Sequence, residues 1–310
     1  MIVEQDVLRF EIMNKSEFLT PGLLVAFLLL SGCGGDSSNN YSEDRIFEGE
    51  AFSLVTSDQG EAWFSVNGDA TMVVFGRHSE NWSDHTIMET KKQGQNWSIP
   101  TVAPFSGTYN DRAGRFYPAL DALLFSSDRP LSPEDTTADF NIWVVIHDGE
   151  EWLDPEAITS VNSDANDFHA SISASGTIYF ASNREGGQGR SDLYQAELGI
   201  EGYVVQPISG SLNTATSEPD IWIDPEEEYI IFARTDGPGG LGGDDLYISF
   251  PEGESWSEPQ NLGPEVNTSE YEYAPYVSQD KRILFFTSHT DGDADVMSIP
   301  MASLQIEWPE

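Results

Sequence analysis

The sequence predicts an all-β protein, a five-bladed β-propeller made of four-stranded antiparallel blades. Three observations carry this prediction. One segment pattern recurs along most of the chain, each copy consists of short strand-like runs joined by tight turns, and the 310 residues include 39% hydrophobic and 12% aromatic side chains. A chain of this composition has enough apolar surface to build a core, unlike a disordered acidic segment.

The repeat is clearest at a phenylalanine that ends a strongly apolar run. Each copy contains an extended run, a tight turn, the apolar run, a Gly/Asp-rich loop and a further short strand. Four short strands in a repeat of about 50 residues are typical of a propeller blade, whereas a β-sandwich shows strand alternation without a long fixed period. The copies follow at steps of 50 to 55 residues: Phe75, Phe125, Phe180, Phe232 and Phe286.

The outer strand of each repeat has its own marker, a residue followed three positions later by proline. The markers are Trp97, Trp152, Val204 and Trp256. A spare copy of this strand pattern lies at 45–56, and the last repeat ends at Glu310 without one. We therefore predict that a strand near Phe47 pairs with residues 294–300 and closes the ring, since closure removes two exposed sheet edges. A six-bladed ring is the alternative.

The first 32 residues have the pattern of a secretion signal. An apolar run, LLVAFLLL, covers 23–30 and is too short to span a bilayer; Lys15 precedes it and small residues follow it. The letters LSGC resemble the lipobox of bacterial lipoproteins, which implies cleavage before Cys33 and lipidation of that residue. We expect a flexible tether over 33–44 and a propeller over 45–310, anchored by lipid in the outer membrane and facing the periplasm or the exterior.

Two stretches resemble the TolB-like, WD-repeat-like β-propeller family. The first runs from Phe180 to Tyr194 and contains FASNR, then GG, then SDLY; the second, from Tyr271 to Ser288, reads YEYAPYVSQDKRILFFTS. The resemblance is strong in the last three repeats and weaker in the first two. It implies a propeller scaffold that binds proteins or glycans.

The charge balance excludes several classes of function. The chain has 14 Lys and Arg residues against 53 Asp and Glu residues, a formal charge of −39. Nucleic-acid binding through a basic surface is excluded, because phosphate contacts require clustered Lys and Arg. The single cysteine excludes an intramolecular disulfide and a cysteine-cluster metal site. We expect a monomer that reaches the membrane through its lipid anchor.

Candidate binding residues lie at the start of each inner strand. Inner strands line the channel of a propeller, so side chains in this column can converge at its mouth and bind a cation, an amine or sugar hydroxyls. The alternative is that each carboxylate accepts backbone N–H groups at its own blade junction. Arg115 breaks the repeat of carboxylates and is therefore the position that says most about function. The column consists of Glu61, Arg115, Asp167, Glu218 and Glu272.

A second column, two positions later, contains His169 and Asp220. Asp220 is a further binding candidate. With Asp167, His169 has the residue types for acid–base chemistry. Neither a serine-nucleophile motif nor a metal-binding histidine pair accompanies it, and packing is the alternative reading of a single histidine.

An alternating acidic run, DGDAD, is the candidate metal site. Carboxylates alternating with glycine indicate calcium, but the twelve-position loop with its terminal Glu is absent, and turn capping is the alternative. No other cofactor is expected. The candidate ligands are Asp291, Asp293 and Asp295.

Two functions are compatible with these features. The first is a lipid-anchored binding or scaffold module whose partner is an envelope protein or a glycan. The second is a glycan-active hydrolase or lyase that uses Asp167, Glu218 and Glu272, with His169, at the channel mouth. Two free carboxylates at the mouth would favour the enzyme, and carboxylates bonded to backbone amides would favour the scaffold.

Overall fold

The structure is a computed structural model that describes residues 59–79, 84–117, 120–290 and 293–309, together with Val55 and Ser57. The described residues form five antiparallel sheets that follow one another in chain order as the blades of a propeller. The predicted fold class and the predicted number of blades are confirmed. No helix in these ranges is long and apolar enough to cross a bilayer.

Each blade begins with its innermost strand, and successive strands pair outward. Blade 1 contains β1 (Glu61–Val66), β2 (Met72–His78), β3 (His85–Gln93), β4 (Asn96–Trp97) and β5 (Thr101–Val102). Blade 2 contains β6 (Asp111–Phe116), β7 (Ala122–Ser127), β8 (Asn141–Ile146) and β9 (Glu156–Ala157). Blade 3 contains β10 (Asp167–Ile172), β11 (Ile178–Ser182), β12 (Asp192–Gly199) and β13 (Gly202–Pro207).

The last two blades continue the same order. Blade 4 contains β14 (Ser217–Ile223), β15 (Ile230–Thr235), β16 (Asp244–Ser249) and β19 (Gln260–Asn261), with a small hairpin made of β17 (Pro251–Glu252) and β18 (Ser255–Trp256). Blade 5 contains β20 (Glu272–Val277), β21 (Ile283–Thr290) and β22 (Asp293–Pro300), and a short 3-10 helix, Met301–Ser303, follows it.

The apolar second strands lie at the centre of the sheets. The side chains of a pleated strand alternate between the two faces of its sheet, so each sheet contributes to the apolar layers on both sides. Between blades 3 and 4, for example, Tyr179 and Leu193 pack in one buried cluster with Ile221 and Phe232. All five repeat-marking phenylalanines are buried, which confirms the repeat spacing: Phe75, Phe125, Phe180, Phe232 and Phe286.

The outer strands differ from the prediction in three blades. Trp97 and Trp256 lie in small hairpins before the outermost strand, and Trp152 forms only an isolated bridge with His147. In each case the proline three positions later interrupts the ladder, since proline has no N–H to donate. In blade 3 the marker Val204 does lie in a continuous outer strand, β13.

Blade 1 packs directly against blade 5. The ring of Phe64 lies 5.1 Å from that of Phe285 and 5.9 Å from that of Tyr276. The side-chain amide of Gln279 donates to the carbonyl oxygen of Asn67 at 3.1 Å. In the described part of the chain, blade 5 has three strands. The predicted closing strand near Phe47 lies outside the described residues, as do the signal segment, Cys33 and the tether.

Candidate binding site at the channel mouth

Four of the predicted site residues are fully buried and lie at the start of their inner strands, Glu218 as the second residue and the others as the first: Glu61, Asp167, Glu218 and Glu272. Each accepts hydrogen bonds of 2.5–3.1 Å from the backbone N–H and the hydroxyl of a serine or threonine four residues earlier. These donors are Ser57, Ser163, Thr214 and Thr268. The carboxylates therefore bind the loop that precedes their own strand.

A further partner completes each of these arrangements, which we call blade clasps. In three blades it is an arginine near the end of the second strand. Arg77 pairs with Glu61 at 3.0 Å, Arg184 with Asp167 at 2.5 Å and Arg234 with Glu218 at 3.3 Å. In blade 5 the hydroxyl of Ser288 donates to Glu272 at 2.7 Å. Carboxylates bonded to backbone amides in this way are the arrangement expected for a scaffold.

The alignment of Arg115 with these carboxylates is wrong. The clasp carboxylate of blade 2 is Asp111, which begins β6, accepts from Ser106 at 2.8 Å and pairs with Arg129 at 2.7 Å. Ser106 precedes Asp111 by five residues instead of four, and this extra residue hides the motif in the sequence. Arg115 lies four positions further along the strand, inside the channel.

The second predicted column lies at a bulge of the inner strands. The ladder between the first and second strands shifts register just after the strand start in all five blades. In four of them the residue two positions after the clasp carboxylate has a left-handed φ of 53–55°: Trp63, Ala113, His169 and Ala274. Asp220 holds the corresponding place in blade 4. Bulges redirect side chains, and this column reaches the channel mouth.

The mouth is an open cavity of about 380 Å³ on the face that carries the starts of the inner strands. Its aromatic and imidazole lining comes from Trp63, Tyr271, Tyr273, His85, His169 and His289. Its charged lining comes from Arg112, Asp220 and Asp244. The chain has only five histidines, so three of them lining one cavity is a marked concentration.

His85 and His289 were missed by the sequence reasoning, and no local signal marks them. His85 begins β3 and His289 lies near the end of β21, so neither belongs to an inner strand. The ring of Trp63 joins them to the inner column, because its centre lies 5.7 Å from that of His85 and 5.8 Å from that of Tyr273. Tyr273 in turn shares a hydrogen bond of 3.2 Å with His289.

Asp220 is the central acid of the channel. It accepts hydrogen bonds from the indole N–H of Trp63 at 3.0 Å and from the backbone N–H groups of Ala274 at 3.1 Å and Ile221 at 2.8 Å. The guanidinium of Arg115 approaches to 4.0 Å. Burial is the main cause that raises the pKa of Asp220 to about 6, against a partial opposing effect of Arg115.

His169 is held as a neutral acceptor. Its Nδ1 lies 2.7 Å from the carbonyl oxygen of Pro219, and because a carbonyl only accepts, the ring proton resides on Nδ1. Burial, with the nearby charge of Arg112, holds the pKa of His169 well below its usual value. The remaining nitrogen, Nε2, is buried without a hydrogen-bond partner among the described residues. The imidazole ring of His169 lines the mouth.

Arg115 faces a second cavity, of about 250 Å³, at the opposite end of the channel. It shares that cavity with residues of all five blades, among them Trp222 and Tyr276. Its Nη1 donates to the carbonyl oxygen of Phe64 at 3.1 Å. Together with Asp220 it separates the two cavities, so Arg115 does not belong to the mouth.

The calcium prediction concerns residues at the start of β22. Asp291 lies outside the described residues, and Asp293 accepts from the backbone N–H of Ala294 at 2.9 Å. Within the described ranges no three His, Cys, Asp or Glu side chains are grouped so as to hold a metal ion. Calcium binding at this run therefore stays a prediction.

No protein-family model matches the chain, and no curated protein matches it in sequence. Among solved structures it is similar to TolB from Acinetobacter baumannii (15% identity, TM-score 0.49), covering 80% of this chain and 56% of that one. A protein of Agrobacterium tumefaciens assigned as TolB aligns over 82% of both chains, with 12% identity and a TM-score of 0.52.

A thermostable family-43 glycoside hydrolase aligns over 79% of this chain and 91% of its own, with 14% identity and a TM-score of 0.51. The chain has a TolB-like β-propeller fold. The predicted resemblance is confirmed at the level of fold, since similarity at these identities concerns architecture and leaves function to the site.

Proposed function

We propose that this protein is a monomeric, lipid-anchored binding module of the cell envelope that takes a glycan at the mouth of its propeller channel. One observation carries the proposal: the mouth is a cavity with aromatic and imidazole walls whose carboxylates are already engaged by the protein. Its volume of about 380 Å³ lies within the range of about 300–1,000 Å³ common for small-ligand sites.

The lining complements a sugar ring. Aromatic side chains offer a flat apolar face with a polar edge, and a sugar ring has an apolar face bordered by hydroxyls. Tyr271 stands at the rim with 48% of its surface exposed, and Trp63 lies deeper. The imidazole of His169 adds a further planar ring to the wall. A protein partner is the other expected class, but a cavity of this size favours one terminal residue of a glycan.

Glycoside hydrolysis is less well supported. That chemistry requires two carboxyl groups free to act on the bond, about 5–9.5 Å apart. The predicted acids Asp167, Glu218 and Glu272 are enclosed in blade clasps and do not line the mouth. Of the two acids at the mouth, Asp220 accepts from Trp63 and Ala274, and Asp244 accepts from the hydroxyl of Thr235 at 2.5 Å.

Binding is tested on a glycan array with the full chain in detergent, followed by titration of the sugars retained. We expect Tyr271→Ala to weaken binding about 10-fold, as for loss of one aromatic contact of 1–1.5 kcal/mol. Tyr109→Ala is the matched control, because Tyr109 has a similar exposure of 43% and does not line the mouth. Retention of no glycan, or equal losses in both variants, would contradict the proposal.

The anchor is tested separately. The LSGC pattern supports lipidation at Cys33 and outer-membrane placement with the propeller facing the periplasm or the exterior. We expect the wild-type chain in the outer-membrane fraction, soluble only in detergent, and Cys33→Ser in the fraction without membranes. A wild-type chain that is released without detergent would exclude the anchor while leaving the binding proposal intact.

A further inference from the structure

We propose that the glycan taken at the mouth is an acidic one, and that Arg112 pairs with the carboxylate of a terminal uronic acid residue. This inference rests on the proposed function of the mouth. It names a chemical class of ligand and a residue that the sequence analysis did not single out.

Arg112 breaks the repeat at the mouth. It is the second residue of β6, and the corresponding positions of the other blades are Ala62, Phe168, Pro219 and Tyr273. Its guanidinium stacks on the ring of Phe140, with 3.7 Å between the guanidinium carbon and the ring centre, and lies 5.8 Å from that of Phe168. Stacking fixes the plane of the guanidinium, and Arg112 lines the mouth.

No carboxylate of the described residues forms an ion pair with this guanidinium, although the charges of Asp220 and Asp128 act on it from a greater distance. Within the described ranges Arg112 has no ion pair, and its Nε is buried without a hydrogen-bond partner. Six other arginines there have a carboxylate within 4.0 Å: Arg77, Arg115, Arg129, Arg184, Arg234 and Arg282. The remaining one, Arg190, is exposed to solvent.

The lack of an ion pair beside this partly buried cation is unusual in this chain. Burial of an unpaired charge is costly, and buried charges in proteins are normally paired. The chain has 53 acidic side chains and 14 basic ones, so acidic residues that could pair with Arg112 are abundant. Burial lowers the pKa of Arg112 only to about 10, and the group therefore keeps its charge at neutral pH. A ligand carboxylate is the missing partner.

The surroundings favour a single carboxylate over a phosphate. The planar fork of arginine matches a carboxylate with two parallel hydrogen bonds. Asp220 and Asp244 line the same cavity, and the net charge of −39 opposes a dianion more strongly than a monoanion. A uronic acid offers a carboxylate, hydroxyl donors and a ring face together.

The test compares oligosaccharides that differ only at the terminal residue: glucuronate against glucose, and galacturonate against galactose. Titration calorimetry with the full chain in detergent gives each affinity. We expect the acidic member of at least one pair to bind about 10-fold or more tightly, as for a charge-assisted hydrogen bond. Arg112→Gln abolishes this preference, so that the acidic and the neutral member of each pair bind equally. Arg112→Lys, which keeps the charge without the fork, retains part of it.

A ligand-side measurement makes the test independent of how the variants fold. The methyl ester of the uronate keeps the ring and loses the negative charge, so wild-type protein is expected to bind it no better than the neutral sugar. Equal binding of acid, ester and neutral sugar overturns the inference and leaves glycan binding standing. An undiminished preference in a folded Arg112→Gln variant also overturns it. If no saccharide of any kind binds, the proposed function fails and the inference falls with it.

Discussion

Trp63 and Asp220 are separated by 157 residues, yet the indole N–H of Trp63 donates to the carboxylate of Asp220 at 3.0 Å. The bond joins blades 1 and 4 across the channel. The same carboxylate accepts from Ala274 of blade 5 and lies 4.0 Å from Arg115 of blade 2 and 3.5 Å from His169 of blade 3. The side chain of Asp220 therefore contacts all four other blades. Its protonation state affects both the stability of the ring and the shape of the mouth.

Removal of the indole donor is expected to destabilise the ring. In Trp63→Phe, Asp220 loses a buried hydrogen bond, so the free energy of unfolding falls by about 1–3 kcal/mol. Guanidinium denaturation measures the change, and a double-mutant cycle with Asp220→Asn isolates the pair. Trp308→Phe, at a residue with half of its surface exposed, is the control and changes stability by less than about 0.5 kcal/mol. A coupling energy near zero contradicts this account.

Asp220 is expected to make the fold less stable as the pH rises. Burial raises the pKa of Asp220 from 3.8 to about 6, so between these pH values the folded state binds more protons than the unfolded state. Stability falls with pH wherever that holds. Relative to Asp220→Asn, the wild-type chain should lose on the order of 3 kcal/mol between pH 4 and pH 6. Unfolding free energies of both chains across this range measure the difference, and parallel pH curves would refute it.

His85 is expected to act in the opposite direction. Burial, with Arg112 and His78 nearby, lowers the pKa of His85 from 6.5 to about 4. Below pH 6.5 the unfolded state binds the extra proton, so this contribution to stability is lost as the pH falls to 4. His85→Gln should remove up to about 3 kcal/mol of the acid-induced loss. If acid destabilises the variant as steeply as the wild type, His85 is not the group responsible.

The blade clasps are expected to be structural. Asp167 accepts from Ser163, Ser182 and Arg184, and none of its surface is exposed. Asp167→Asn leaves the arginine without a counter-charge, and loss of one partner of a buried pair costs about 3–5 kcal/mol. Thermal unfolding compares it with Asp154→Asn, at an exposed site that should leave the midpoint unchanged. Unaltered stability with lost glycan binding would instead favour a ligand-binding role for Asp167.

Much of the blade was predictable because it depends on local pattern. The buried phenylalanine of each second strand follows from strand alternation and a fixed repeat length. The register of blade 2 was not predictable, since Ser106 and Asp111 are one residue further apart than their counterparts. The outer strands were misplaced in three blades because prolines such as Pro100 and Pro259 interrupt them.

The residues that form the mouth could not be predicted from local sequence patterns. Its residues come mainly from the inner strands and from the ends of β3, β16 and β21. No short-range sequence pattern connects them. The sequence by itself determined the number of blades and the inner and second strands of each one, because these depend on periodicity within about 50 residues. Only the tertiary structure decided that Trp63, Arg112, His169 and Asp220 share one cavity, because their proximity arises when five sheets pack into a ring and bring distant inner strands together.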